Sequence, residues 1–216
     1  MKTSLESALA LLHEVPHGTI ATLSDQLAGY PYATVVPCVL DQGHCPVFLI
    51  SALAEHTKNL LADRRSSLSV VKGEGANIQA AARITLVGDC ETFEPAPEMV
   101  ARYLHYHPDA EEYLSLDFMF FRLRPARARF IGGIGKMGWI ESAEWDAIPA
   151  IPLKDEAALL KAATLQAPAG IRLLGVDLFG IDYEVKGVRQ RQRFPDAPLP
   201  PEKLEEVLAR VVSKLP

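Results

Sequence analysis

The spacing of apolar positions changes period several times along the chain, and each change predicts an element. Leu5, Ala8, Leu9 and Leu12 recur at helical spacing, so residues 4–14 read as an amphipathic helix, with Thr3 or Ser4 as its N-cap and Pro16-His17-Gly18 as its stop. From Gly18 onward β-branched and aromatic residues take over. Residues 19–23, 32–40 and 47–51 read as strands, separated by Gly29-Tyr30-Pro31 and by Asp41-Gln42-Gly43-His44. Strands joined by turns, without helices between them, predict an antiparallel sheet rather than β–α–β units.

A short helix with Leu53, Thr57, Leu60 and Leu61 inward comes next. Further strands are expected at 68–71, 80–93, 117–123 and 126–131, with helical pieces at 98–105 and 108–113. Six or seven strands with helices outside them suit a small closed barrel. Ala147-Ile148-Pro149-Ala150-Ile151-Pro152 reads as an extended linker, since proline biases its predecessor away from helix. It separates a barrel unit, residues 1–148, from a small α+β unit, residues 152–216. In the latter, 155–165 reads as a helix, 171–176 and 181–188 as a hairpin-like pair around Asp177-Leu178-Phe179-Gly180, and 201–214 as a closing helix with Leu204, Val207, Leu208 and Val211 on one face.

Composition narrows the classes. With 49% hydrophobic and 23% charged residues the chain can build a packed core, and its net charge of −5 provides no basic face for nucleic acid. No apolar run approaches the ~20 residues of a membrane span. The charged N-terminus lacks a signal-peptide pattern, which predicts a cytoplasmic protein. Three cysteines, Cys38, Cys45 and Cys90, form no C-x-x-C pair and read as buried reduced thiols rather than as a disulfide or metal site.

The most informative stretch for chemistry runs from Ser51 to Leu60. A buried strand ends in a hydroxyl, and a helix opens a few residues later with Thr57, Lys58 and Asn59 in its first turn. Unpaired backbone N–H groups and the helix dipole attract anions there, and an ammonium adds charge-assisted bonds to phosphate oxygens. The plainer reading is that these are solvated helix residues and a cap. Arg83 stands in an otherwise apolar strand, where a guanidinium needs a partner; it either reaches water at an edge or joins the Ser51–Lys58 turn on one dianion.

Other constellations are weaker. Ser51 and His56 lack the elbow and carboxylate of a hydrolase. His105 and His107, two apart on a helix, point to opposite sides, so no metal is expected. Gly132-Gly133-Ile134-Gly135 opens no long dinucleotide-binding helix. Arg189, Arg191 and Arg193 alternate along an extended segment and read as a solvated strand face, with a basic docking patch as the alternative.

Several segments in order carry a resemblance: Gly18-Thr19-Ile20-Ala21-Thr22-Leu23, Gly29-Tyr30-Pro31-Tyr32-Ala33-Thr34-Val35-Val36-Pro37, Ser51 through Leu60, Ala82-Arg83-Ile84-Thr85-Leu86-Val87-Gly88, Arg102-Tyr103-Leu104, His107-Pro108-Asp109-Ala110, and Phe130-Ile131-Gly132-Gly133-Ile134-Gly135-Lys136-Met137-Gly138-Trp139-Ile140. With them the chain resembles the pyridoxamine-phosphate-oxidase-like FMN-binding split-barrel superfamily, and most closely its haem-utilisation-type branch with a small C-terminal domain.

The resemblance implies a six-stranded antiparallel split β-barrel with flanking helices, followed by a small α+β domain. It implies a homodimer with two FMN sites in clefts between subunits. Carried over by position, Ser51, Thr57 and Lys58 would hold the phosphate and Arg83 would be a second cationic clamp. Backbone around Val36, Pro37, Leu49 and Ile50 would line the isoalloxazine, and the glycine-rich segment and Trp139 would close the site from the partner chain. The first functional expectation is therefore an FMN-dependent oxidoreductase. The second is a haem-binding or haem-degrading protein using the same cleft, its ligand drawn from His13, His17, His56, His105 and His107. The third is a non-catalytic regulatory module. Two departures stand out: haem-degrading members carry their axial histidine late in the chain, where this one has none after His107, and Ile134 replaces an aromatic residue.

Overall fold

The computed structural model describes residues 2–73, 79–133 and 137–216. Ile134, Gly135 and Lys136 of the glycine-rich segment, and the side chains of Thr3 and Ser4 in the expected cap, lie outside the described residues.

Helix α1, Lys2–Glu14, is followed by strands β1, His17–Leu23; β2, Pro31–Pro37; β3, Val39–Leu40; and β4, Pro46–Ser51. Then come α2, Glu55–Ala62; β5, Arg65–Val71; β6, Arg83–Thr92; α3, Pro97–Tyr106; a 3-10 helix, Pro108–Ser115; β7, Phe118–Ile131; β8, Met137–Glu141; and α4, Ser142–Asp146. They form one curled antiparallel sheet in the order β2-β1-β5-β6-β7-β4-β3, with β8 pairing β7.

Eight described strands replace the six of the expected barrel. The predicted strand at 32–40 divides at Cys38, whose N–H turns away to the Pro16 carbonyl at 3.0 Å. The predicted pair at 117–123 and 126–131 is one long strand, β7, because a register shift opposite Val87 and Gly88 absorbs Pro125, which has no N–H to give the ladder. Gly88 makes this possible, since a Cβ there would collide with the Arg124 carbonyl. Alternation sends Ile20, Leu68, Ile84, Leu86, Phe121 and Leu123 into the barrel, all essentially without solvent exposure.

The C-terminal unit contains α5, Leu153–Thr164; β9, Ile171–Val176; β10, Gly180–Val185; β11, Val188–Arg193; and α6, Pro201–Val212, with its own sheet in the order β11-β10-β9. The predicted pair of strands is thus three. Lys186 and Gly187, both at positive φ (50° and 76°), make a two-residue hairpin turn inside the span expected as one strand. The basic alternation that follows is β11, and its reading as a solvated face is corrected: the Arg191 side chain is 1% exposed, while Arg193 faces water and pairs with Glu6.

One apolar cluster runs from the barrel (Ile20, Phe48) through α1 (Leu9, Leu12) into the second sheet (Ile181) and α6 (Leu204, Val212). The N-terminal helix is therefore shared core. No helix among the described residues is long and apolar enough to cross a membrane.

Candidate functional site

Strand β4 is buried on both faces up to Ser51. There the chain turns: the Ala52 N–H donates to the Asp117 carbonyl at 2.6 Å and the Leu53 N–H to Ser51 Oγ at 3.2 Å. Helix α2 then starts at an extended Ala54 without a side-chain cap. Thr57 is fully buried and its Oγ1 finds no hydrogen-bond partner, whereas Lys58 reaches solvent. Buried Asn59 fixes the turn, donating to Thr22 Oγ1 at 3.0 Å and accepting from the Asp25 N–H at 2.9 Å. Ser51, Thr57 and Lys58 thus share one turn.

Arg83 does not join them within the chain. It opens β6, opposite Val71 of β5 and Ile131 of β7, and its guanidinium donates to the carbonyls of Gln79 and Ala81. The α2 end of the sheet lies at Asp89, which pairs with Arg65 and accepts an ion pair from Arg64. Six strand residues at ~3.3 Å each put Arg83 roughly 20 Å from that end. Within one chain, sheet register therefore keeps Arg83 apart from the Ser51–Lys58 turn.

Trp139 and Arg83 instead share the outer face of the barrel sheet. Val35, Thr19, Ser69, Thr85, Arg129 and Trp139 stand in direct cross-strand register over β2, β1, β5, β6, β7 and β8. Trp139 is 45% exposed, with the Arg127 guanidinium over its ring at 3.9 Å. Arg83 lies two residues before Thr85, on the same face.

Val36 is buried in the barrel, but Pro37 and Leu49 line a cleft of about 440 Å³ with Tyr103, His107, Tyr113 and Arg172. The Leu49 N–H donates to the Tyr103 hydroxyl at 3.2 Å. His107 ends α3. Burial, reinforced by nearby Arg189, lowers its pKa and keeps the imidazole neutral at pH 7. Its Nε2 has only marginal partners, the Cys38 carbonyl and Arg189, both at 3.5 Å. The other expected histidine candidates differ: His105 is bonded to the Leu173 carbonyl at 2.7 Å, His17 is exposed on β1, and half-buried His56 lies on α2 with its pKa lowered by burial.

His13 belongs to a buried polar group that sequence reading did not assemble. His13, His44, Asp177, Asp182 and Arg191 meet where α1 and the β3–β4 turn touch the second sheet. Arg191 donates to Asp182 Oδ1 at 2.6 Å and to both Asp177 oxygens at 2.6 and 2.7 Å. Burial would raise both carboxyls, but Arg191 and His13 outweigh it, so that Asp177 falls to about 2 and Asp182 lies well below the usual carboxylate range. Burial holds His44 neutral, its pKa lowered to about 3. Tyr106 also donates to Asp182, and Arg102, bonded to the Leu40 carbonyl, pairs with buried Glu156. The available signal was Asp177 and Asp182 flanking an apolar turn, because aspartate is seldom fully buried without a partner.

A chloroplastic non-canonical heme oxygenase, HOZ, of Arabidopsis thaliana is 33% identical over 119 residues, which are 54% of this chain and 36% of that protein. The chain therefore spans about a third of the length of that relative. Among solved structures, the protein Atu2129 of Agrobacterium tumefaciens, of unknown function, superposes with a TM-score of 0.77 at 25% identity, covering 96% of this chain and 94% of that one. A heme binding protein from Mycobacterium smegmatis superposes with a TM-score of 0.62 at 27% identity over 98% of both chains. Residues 1–147, the whole barrel unit with its shared N-terminal helix, match the CREG β-barrel description, and the chain belongs to that family of split barrels of the pyridoxamine-phosphate-oxidase-like kind.

Proposed function

We propose that the protein binds haem in the cleft between β4, α3 and the C-terminal sheet, with His107 as the iron ligand. The carrying observation is a neutral imidazole at the rim of an aromatic-lined cleft, its Nε2 held only by two 3.5 Å contacts. Haem asks for an apolar slot, a free imidazole and cations for its propionates; Leu49, Pro37 and Tyr113 supply the first, His107 the second, and Arg172 and Arg189 the third. The names of the Mycobacterium smegmatis and Arabidopsis thaliana relatives point to the same ligand. When bound, haem would supply the iron centre, as cargo or as the substrate of its own breakdown. The chain's part is to orient the ring and exclude water.

The test is a haemin titration of the full-length chain. A Soret band saturating at one haem per chain is expected, with affinity at least about tenfold weaker, or 1.4 kcal/mol, in His107→Ala. A featureless titration would sink the reading, and an unchanged band in His107→Ala would remove that histidine. Decay of the band with reductant and oxygen would make the protein haem-degrading.

An FMN-dependent oxidoreductase is the second reading, favoured by one observation: Ser51 lies two residues beyond cleft-lining Leu49 on the same face of β4 and leads directly to Thr57 and Lys58. A flavin over Pro37 and Leu49 would direct its phosphate at that turn, with Arg83 and Trp139 supplied by a second copy of the chain. Quenching of FMN fluorescence by the protein, and its loss in Lys58→Ala, would support it. No quenching would end it.

A further inference from the structure

We propose that His13, His44 and Asp177 form a structural site for one transition-metal dication of the zinc class, which ties the barrel to the C-terminal sheet. The three donors come from three separate places: the last turn of α1, the β3–β4 turn, and the turn between β9 and β10. His13 Nε2 lies 3.0 Å from His44 Nδ1 and 3.2 Å from Asp177 Oδ2, and His44 Nδ1 lies 3.9 Å from Asp177 Oδ2. A tetrahedral ion with bonds of ~2.0–2.1 Å has donor–donor edges of about 3.3 Å, so this triangle is one face of such a site.

The surroundings favour a cation. Asp182 Oδ2 accepts from His13 Nδ1 at 2.6 Å, the carboxylate–histidine arrangement that fixes an imidazole tautomer behind a metal. That bond turns Nε2 of His13 toward His44 Nδ1 and the Asp177 carboxylate. Asp177 and Asp182 bring two negative charges against one guanidinium, Arg191, and Glu156 is neutralised by Arg102. His44 is 1% exposed, and its second ring nitrogen is buried without a hydrogen-bond partner. His44 also borders a void of about 10 Å³ beside the triangle, lined as well by Asp41, Gln42 and Glu156. One water-sized fourth ligand fits there. Burial of all three donor residues makes the site a clamp rather than an open catalytic centre.

The test uses the purified full-length chain without haem or flavin, stripped with a chelator and then dialysed against limiting Zn2+. One bound zinc per chain by elemental analysis is expected, together with a rise in melting temperature that chelator reverses. Co2+ in place of zinc should give the intense visible bands of four-coordination. His44→Gln and Asp177→Asn, checked as folded by circular dichroism, should each lower metal affinity at least tenfold, while His17→Ala and His107→Ala keep one equivalent. A folded wild type that retains less than a tenth of an equivalent would overturn the site. So would His44→Gln and Asp177→Asn variants binding zinc as the wild type does. If the variants do not fold, the stoichiometry and the cobalt spectrum of the wild type decide the matter alone.

Discussion

Arg191 is the buried cation at the centre of the polar group where the second sheet meets α1 and α3. Its guanidinium meets two carboxylates from the same small sheet, one of which also accepts from His13 of α1 and Tyr106 of α3. Breaking a buried pair by removing one partner leaves an uncompensated charge and costs about 3–5 kcal/mol. Arg191→Met should therefore lower unfolding stability by about that amount in urea titrations. Arg191→Lys, which keeps the charge but not the planar fork, should fall between the two. A loss below about 1 kcal/mol for Arg191→Met would mean that the network is not a stability element. This residue also marks the limit of sequence reading. Alternating arginines on an extended segment normally face water, and Arg193 does; Arg191 turns inward because Asp182, nine positions earlier, stands opposite it in the β10–β11 ladder and Asp177, fourteen earlier, reaches it from the β9–β10 turn.

Elements were more legible than their pairing. Apolar runs located α1, β1, β4, α3 and α6, because each buries a periodic face that the chain must declare locally. The β6–β7 register could not be read in this way. It depends on a bulge that accommodates Pro125 against Gly88, and it carries Arg83 away from α2. Ser51, Thr57 and Lys58 were recognisable as one unit since a single strand–helix turn contains them, whereas the cleft around His107 draws on β2, β4, α3 and the second sheet and left no local pattern. Within the α2 turn, position is fixed by Asn59, fully buried between Thr22 and the Asp25 N–H. Asn59→Ala takes the acceptor from the Asp25 N–H and leaves Thr22 Oγ1 with only its bond to the Tyr32 carbonyl, and should cost about 1–3 kcal/mol. Amide exchange should accelerate at Asp25 and along α2 before the rest of the barrel. Uniform acceleration would assign Asn59 to the global core instead.

For the whole molecule, the outer face of the barrel sheet is the feature without an internal role. Its central row carries the small side chains Thr19, Ser69 and Thr85, then Arg129, and ends at Val35, 63% exposed, on edge strand β2 and at Trp139, 45% exposed, on β8. A surface with small side chains at its centre, Arg129 beside them and exposed Val35 and Trp139 at its two ends suits a second copy of the same sheet, which would also cover the edge of β2. Thr85→Arg places a long cation in the middle of that surface while leaving the barrel interior untouched. Light scattering should find the wild type as a dimer and Thr85→Arg as a monomer with an unchanged circular dichroism spectrum. Haem affinity should fall along with the dimer if the cleft is completed across the interface. A wild type that is monomeric at micromolar concentration would leave the outer face unexplained and confine the ligand to the cleft of one chain.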